Sequence, residues 1–252
     1  MLNRFIPIFL SLIFFTGWET IVFNPRYFFA ALAIIVAALL FLAVKINKLR
    51  VKDRDFWLLL TPCLFLVSLT TVFLLFLNYN WTKHLLIILT AAACYYFLNY
   101  LYNLINRITN YRPLSLESAS SFFNVVSYLF LGVSVYGLIN LLNLSLWILA
   151  LAVIAVTFIL TYQFFWINKI DENSILSASI LVSIIMIEFF WALSIFPVSH
   201  FISGLSLAII YYVIINLSLL HFIEKLNRKA VRLYLAVGLI CIFIILLSAQ
   251  WL

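Results

Sequence analysis

The chain has 252 residues, of which 67% are hydrophobic and 9% charged, with 15 Lys and Arg against 8 Asp and Glu. Soluble domains are roughly half apolar and about a quarter charged, and a soluble chain this apolar would expose large adhesive patches, so the composition excludes a water-soluble domain. The net charge of +7 is not arranged as a basic stripe with interleaved aromatics outside the apolar runs, which argues against a nucleic-acid partner.

Nine apolar stretches of about 18 to 24 residues meet the length required by a hydrocarbon core about 30 Å thick. In chain order they are 5–23, 27–44, 56–77, 84–105, 119–142, 144–167, 174–196, 200–223 and 233–251. Backbone groups in lipid are satisfied only within a helix or a closed barrel. Barrel strands would alternate polar and apolar residues, and these runs do not, so each stretch is predicted to be a helix. The first follows Arg4 and resembles a signal peptide, but no A-x-A-like site follows it, so it reads as a retained span. Asn24-Pro25 closes it, because the residue before a proline leaves the α region. Asn78-Tyr79-Asn80 separates spans three and four, Asn143 with Ser145 splits spans five and six, and Pro197 ends span seven.

Between spans two and three lies the longest run of charge, 45–55, with Lys45, Lys48, Arg50, Lys52 and Arg54. Cytoplasmic loops collect Lys and Arg. Placing this run inside puts thirteen of the 15 basic residues on the cytoplasmic side and leaves Arg26 and Lys83 outside. The N-terminus is then cytoplasmic and the C-terminus outside. Trp81, Trp147 and Trp251 fall at outer ends and Trp57 and Trp166 at inner ends, as interfacial aromatic belts require. The resulting fold class is all-α: a polytopic transmembrane helical bundle of about nine spans, four hairpins plus a C-terminal helix, in one membrane domain covering 1–252. The cell membrane is the expected location.

Two internal echoes suggest hairpin duplication, although interface chemistry alone would also produce them. Trp18, Phe23 and Pro25 recur as Trp191, Phe196 and Pro197, and Tyr95-Tyr96 recurs as Tyr211-Tyr212. Close helix packing in lipid uses small residues; Ala30, Ala33 and Ala37, Gly132, and Ser179 with Ser183 are the candidates. Pro62 and Gly204 are the positions where a helix could be broken. Cys63, Cys94 and Cys241 sit in apolar runs and read as free, packed thiols.

Few ionisable residues lie inside spans. Glu188 is the deepest, about 21 Å along span seven. A carboxylate there costs about 2.5–3.5 kcal/mol on insertion scales, which makes it the leading candidate for an ion or substrate site. By helical spacing it shares a face with Ser177, Leu181, Ile184, Trp191 and Ile195, and that face is expected to look into the bundle. Glu19, beside Trp18, lies at similar depth, within reach of the headgroups. Arg26, Lys83, His84 and His200 are on the same side as possible partners of either Glu. The site set is therefore Glu188, Glu19, Trp18 and Trp191. His221 and Glu224, three apart, are expected to pair on one helix face. Asn99, Asn103, Asn124, Asn140, Gln163 and Asn216 are expected to make interhelical hydrogen bonds.

No metalloprotease, P-loop or nucleophile-elbow pattern occurs, so the chain is expected not to be an enzyme, and no cofactor or metal is implied. Two readings follow: a permease or channel-like carrier of an ion or a small or lipidic solute, or a non-transporting assembly subunit. The expected partners are the lipid bilayer and other membrane proteins or a second copy.

Overall fold

The computed structural model describes residues 5–46, 54–106 and 114–248. Arg4, Lys48, Arg50, Lys52, Arg107, Arg112 and Trp251, which enter the charge and aromatic arguments, lie outside the described residues. Among those described there are nine α-helices and no strand. They are α1 (Ile6–Phe23), α2 (Phe28–Ile46), α3 (Arg54–Phe73), α4 (Asn80–Asn106), α5 (Ser115–Leu142), α6 (Leu146–Ile167), α7 (Glu172–Ser194), α8 (His200–Phe222) and α9 (Arg228–Leu247). Eight are long and apolar enough to cross a bilayer, and α2 qualifies as a shorter apolar helix over Pro25–Phe41. The protein is thus an all-α, membrane-embedded helical bundle.

Helices run past the apolar stretches at several ends. α4 begins at Asn80 rather than 84, α5 at Ser115 rather than 119 and α9 at Arg228 rather than 233. Continuing the helix into the polar residues moves its unpaired end groups away from the apolar stretch, to where side chains or water can satisfy them. Spans five and six are separate helices. Asn143 adopts a left-handed conformation (φ 50°) that stops α5, and its N–H donates to the Ile139 carbonyl. α6 and α8 end on Schellman motifs. Lys169 (φ 60°) and Glu224 (φ 56°) take the left-handed position, and the N–H groups of Ile170 and Lys225 reach back to the carbonyls of Phe165 and Leu220.

Neither suspected break occurs. α3 continues through Pro62, where the Thr61 hydroxyl donates to the Trp57 carbonyl at 2.8 Å. α8 continues through Gly204.

The described chain forms two compact units, Met1–Phe123 and Asn124–Leu252, divided within α5. In the first, α1 packs on α2 and α4. Its buried stripe of Leu10, Phe14, Trp18 and Ile21 follows i, i+3/i+4 spacing. The face that α2 turns inward is Ala31, Ile35 and Leu39, whereas Ala30, Ala33 and Ala37 are exposed. The small-residue surface here belongs to α1 instead: a Cβ on Gly17 would stand 2.7 Å from Ile35 Cδ1. Cys63 and Cys94 are buried free thiols that lie side by side.

In the second unit α6 packs along α7, α7 along α8, and α8 along α9. α5 meets α8 where Gly132 and Gly204 touch. A Cβ on Gly132 would lie 2.9 Å from the Gly204 carbonyl oxygen, and one on Gly204 would overlap the Val133 backbone nitrogen. Ser179 and Ser183 are buried on α7, and their hydroxyls donate to the carbonyls of Ile175 and Ser179, each at 2.7 Å.

Candidate functional site

The four site residues divide between the two units. Trp18 and Glu19 belong to the first, and Glu188 and Trp191 to the second.

Trp18 is fully buried. Its Nε1–H donates to Thr71 Oγ1 on α3 at 2.9 Å, and the Thr71 hydroxyl donates onward to the Val67 carbonyl. Its ring packs on Phe14, 5.9 Å between centroids. These contacts make Trp18 an interhelical fastener. Glu19 points elsewhere. Its Oε1 meets His84 Nδ1 of α4 at 2.9 Å, with the His84 side chain 39% and the Glu19 side chain 16% exposed. The Phe23 ring lies 6.2 Å from the imidazole. The sequence placed His84 among the possible partners, and the α1–α4 packing selects it.

Glu188 does not face the interior. Ser177, Leu181, Ile184, Glu188, Trp191 and Ile195 are all exposed, so the predicted inward face is the outward one. The buried face of α7 is Ile175, Ser179, Val182, Ser183, Met186 and Phe190. The serines let α7 approach its neighbours closely, and the Phe190 carbonyl accepts the Tyr136 hydroxyl of α5 at 2.9 Å. Lipid tails are as apolar as leucine, so nothing forces the bulky apolar residues inward.

Glu188 instead lines a lateral groove of about 600 Å³ between α6 and α7, with Trp147, Leu151, Ile154 and Trp191. Trp147 and Trp191 meet edge to face at 4.8 Å. The carboxylate makes no hydrogen bond or ion pair to the described residues. A groove wall carrying one carboxylate and two indoles can take a cationic or hydrogen-bond-donating group whose remainder is apolar.

The echoed residues differ in environment. Trp18 is fully buried and Trp191 is 37% exposed. The Tyr pairs agree better, since Tyr96 and Tyr212 both turn outward. The expected His221–Glu224 pair does not form. α8 ends at Phe222, and the left-handed backbone at Glu224 carries its side chain off the helical face.

A buried polar seam in the second unit was only partly legible. Asn124 donates to Gln163 Oε1 at 2.7 Å, tying α5 to α6 as their residue types suggested. Beside it, the Tyr128 and Thr157 hydroxyls are 3.0 Å apart, and Tyr128 stacks on Tyr211 of α8 with centroids 3.9 Å apart and planes 9° from parallel. The signal for it was the i, i+4 spacing of Asn124 with Tyr128 and of Thr157 with Thr161. These contacts join three helices, but Asn124 Oδ1 and the hydroxyls of Thr161 and Tyr211 are buried without a hydrogen-bond partner among the described residues.

No curated protein and no solved structure matches the chain. Residues 27–248 match the family described as "Protein of unknown function (DUF5656)", and the chain belongs to that family.

Proposed function

We propose that the protein is a non-enzymatic membrane carrier for a lipid-soluble, amphipathic organic cation, with Glu188 meeting the charged head. The observation that supports this reading is the unpaired Glu188 carboxylate in a laterally open groove beside Trp147 and Trp191. An ionised carboxylate in apolar surroundings costs about 2.5–3.5 kcal/mol by insertion scales, and a bound cation offsets that cost. Indole faces add cation–π attraction of about 0.5–2 kcal/mol. Entry is from the lipid phase, so a lipidic solute suits this groove better than a hydrated ion. The orientation that accompanies this reading places the N-terminus in the cytoplasm.

The experiment is binding of tetraphenylphosphonium to the protein in nanodiscs, followed by uptake into proteoliposomes. The wild type is expected to bind it, and Glu188→Gln, which keeps the shape and removes the charge, to bind at least tenfold more weakly while folding normally. Equal binding by both proteins would refute the reading.

The second reading, an assembly subunit, draws on α9, in which Gly238 is the buried residue among those described. A surface so open to the side suits a neighbouring membrane protein or a second copy. Binding without uptake, together with a dimer or larger assembly in nanodiscs, would favour it.

A further inference from the structure

The connection from α8 to α9 concentrates cations. Lys225, Arg228, Lys229 and Arg232 fall within eight residues, all exposed, and none forms an ion pair with a described residue. The two arginines differ from the two lysines in placement. Arg228 and Arg232 are one turn apart on the same face of α9 and together line a cleft of about 330 Å³ with Leu226, Asn227 and Val231. Further along that face, at i+3/i+4 steps from Arg232, come Leu235, Leu239 and Ile242. They line a second groove of about 200 Å³ against Phe189 of α7 and Ile214 of α8, and its walls are wholly apolar. The rise from Arg232 to Leu239 is about 10 Å. A charged cleft therefore opens, along one helix face, onto an apolar groove about two turns deeper.

We propose that this face of α9 binds an anionic phospholipid, its phosphate between Arg228 and Arg232 and an acyl chain along Leu235, Leu239 and Ile242. The arginine fork pairs bidentately with a phosphodiester. Basic pockets between membrane helices at the interface are suited to acidic headgroups. The groove accounts for the remainder of the ligand: a soluble anion would have no use for an apolar channel continuing from its site. The site lies in α9 and its α8 connection and does not involve Glu188.

The test is native mass spectrometry and thermal unfolding of the purified full chain with dioleoyl phosphatidylglycerol, against dioleoyl phosphatidylcholine and inorganic phosphate. Phosphatidylglycerol is expected to bind at least tenfold more tightly than phosphatidylcholine and to raise Tm. Arg228→Gln with Arg232→Gln should abolish that preference. Lys225→Gln with Lys229→Gln removes the same charge from outside the cleft and should leave the preference within about threefold of wild type. Leu239→Trp, at an exposed position, should obstruct the groove and weaken phosphatidylglycerol binding with both arginines intact. All variants sit on the exposed surface, and circular dichroism checks that each is helical. Equal losses from the arginine and lysine pairs would overturn the site in favour of a diffuse basic surface. Competition by millimolar inorganic phosphate would overturn it in favour of a soluble anion. Indifference to Leu239→Trp would overturn the placement of the acyl chain.

Discussion

Trp18 and Glu19 are sequence neighbours with different roles. The indole N–H of Trp18 is buried against Thr71, so removing the acceptor leaves a donor without water or partner. Thr71→Val should destabilise the protein by about 1–2 kcal/mol, the range between a modest interhelical hydrogen bond in membranes and an unsatisfied buried group. Thr71→Ser keeps the hydroxyl and should cost less than Thr71→Val. Unfolding in increasing SDS fractions distinguishes the two, and equal losses would mean that the methyl, not the hydroxyl, matters. The Glu19–His84 contact is partly open to its surroundings, where ion pairs contribute little. A double-mutant cycle with Glu19→Gln and His84→Gln should give a coupling of about 0.2–1 kcal/mol. A value near zero would show that the pair is held only by the packing around it.

At the scale of the elements, α5 and α8 come into backbone contact at Gly132 and Gly204. The overlap created by a Cβ at Gly204 is with Val133 backbone, which cannot rotate away. Gly204→Ala should therefore force the helices apart and cost about 1–3 kcal/mol or more. Gly17→Ala meets only the side chain of Ile35, which can shift, and the better helix propensity of alanine returns part of the loss. It should cost less than Gly204→Ala in the same SDS assay; the reverse order would place the critical backbone approach in the first unit. α7 shows the same principle from the other side. Its buried serines, with hydroxyls returned to the helix's own carbonyls, permit tight packing, while Glu188 and Trp191 remain on the exposed face.

For the whole molecule the decisive number is the count of crossings. Eight of the nine helices are long and apolar enough to cross a bilayer; if α2 crosses as well and the basic loops lie in the cytoplasm, the C-terminus is expected on the opposite side. Reporter fusions after Lys52 and Leu114 should report the cytoplasm, and a fusion after Leu252 the opposite side. A cytoplasmic signal at Leu252 would mean that one helix does not cross, with α2 the first to examine because its qualifying apolar stretch, Pro25–Phe41, is the shortest.

The helices, their number and the turns between them were legible in the sequence alone. Lipid leaves backbone groups no partner but their own helix, so about 20 apolar residues bounded by Asn, Pro or charge already dictate a span. Asn143 marked a true break for that reason. The tertiary structure decided which face of each helix looks inward. In water the apolar face is driven inside, and a helical wheel finds it. In lipid that drive is absent, and the inward face is the one that packs most closely or satisfies a polar group. Hence α2 buries Ala31 rather than Ala30, α7 turns Ser183 inward and Glu188 outward, and Glu19 takes His84 from four possible partners. Composition alone carries no information about those choices, because each depends on how near another backbone comes.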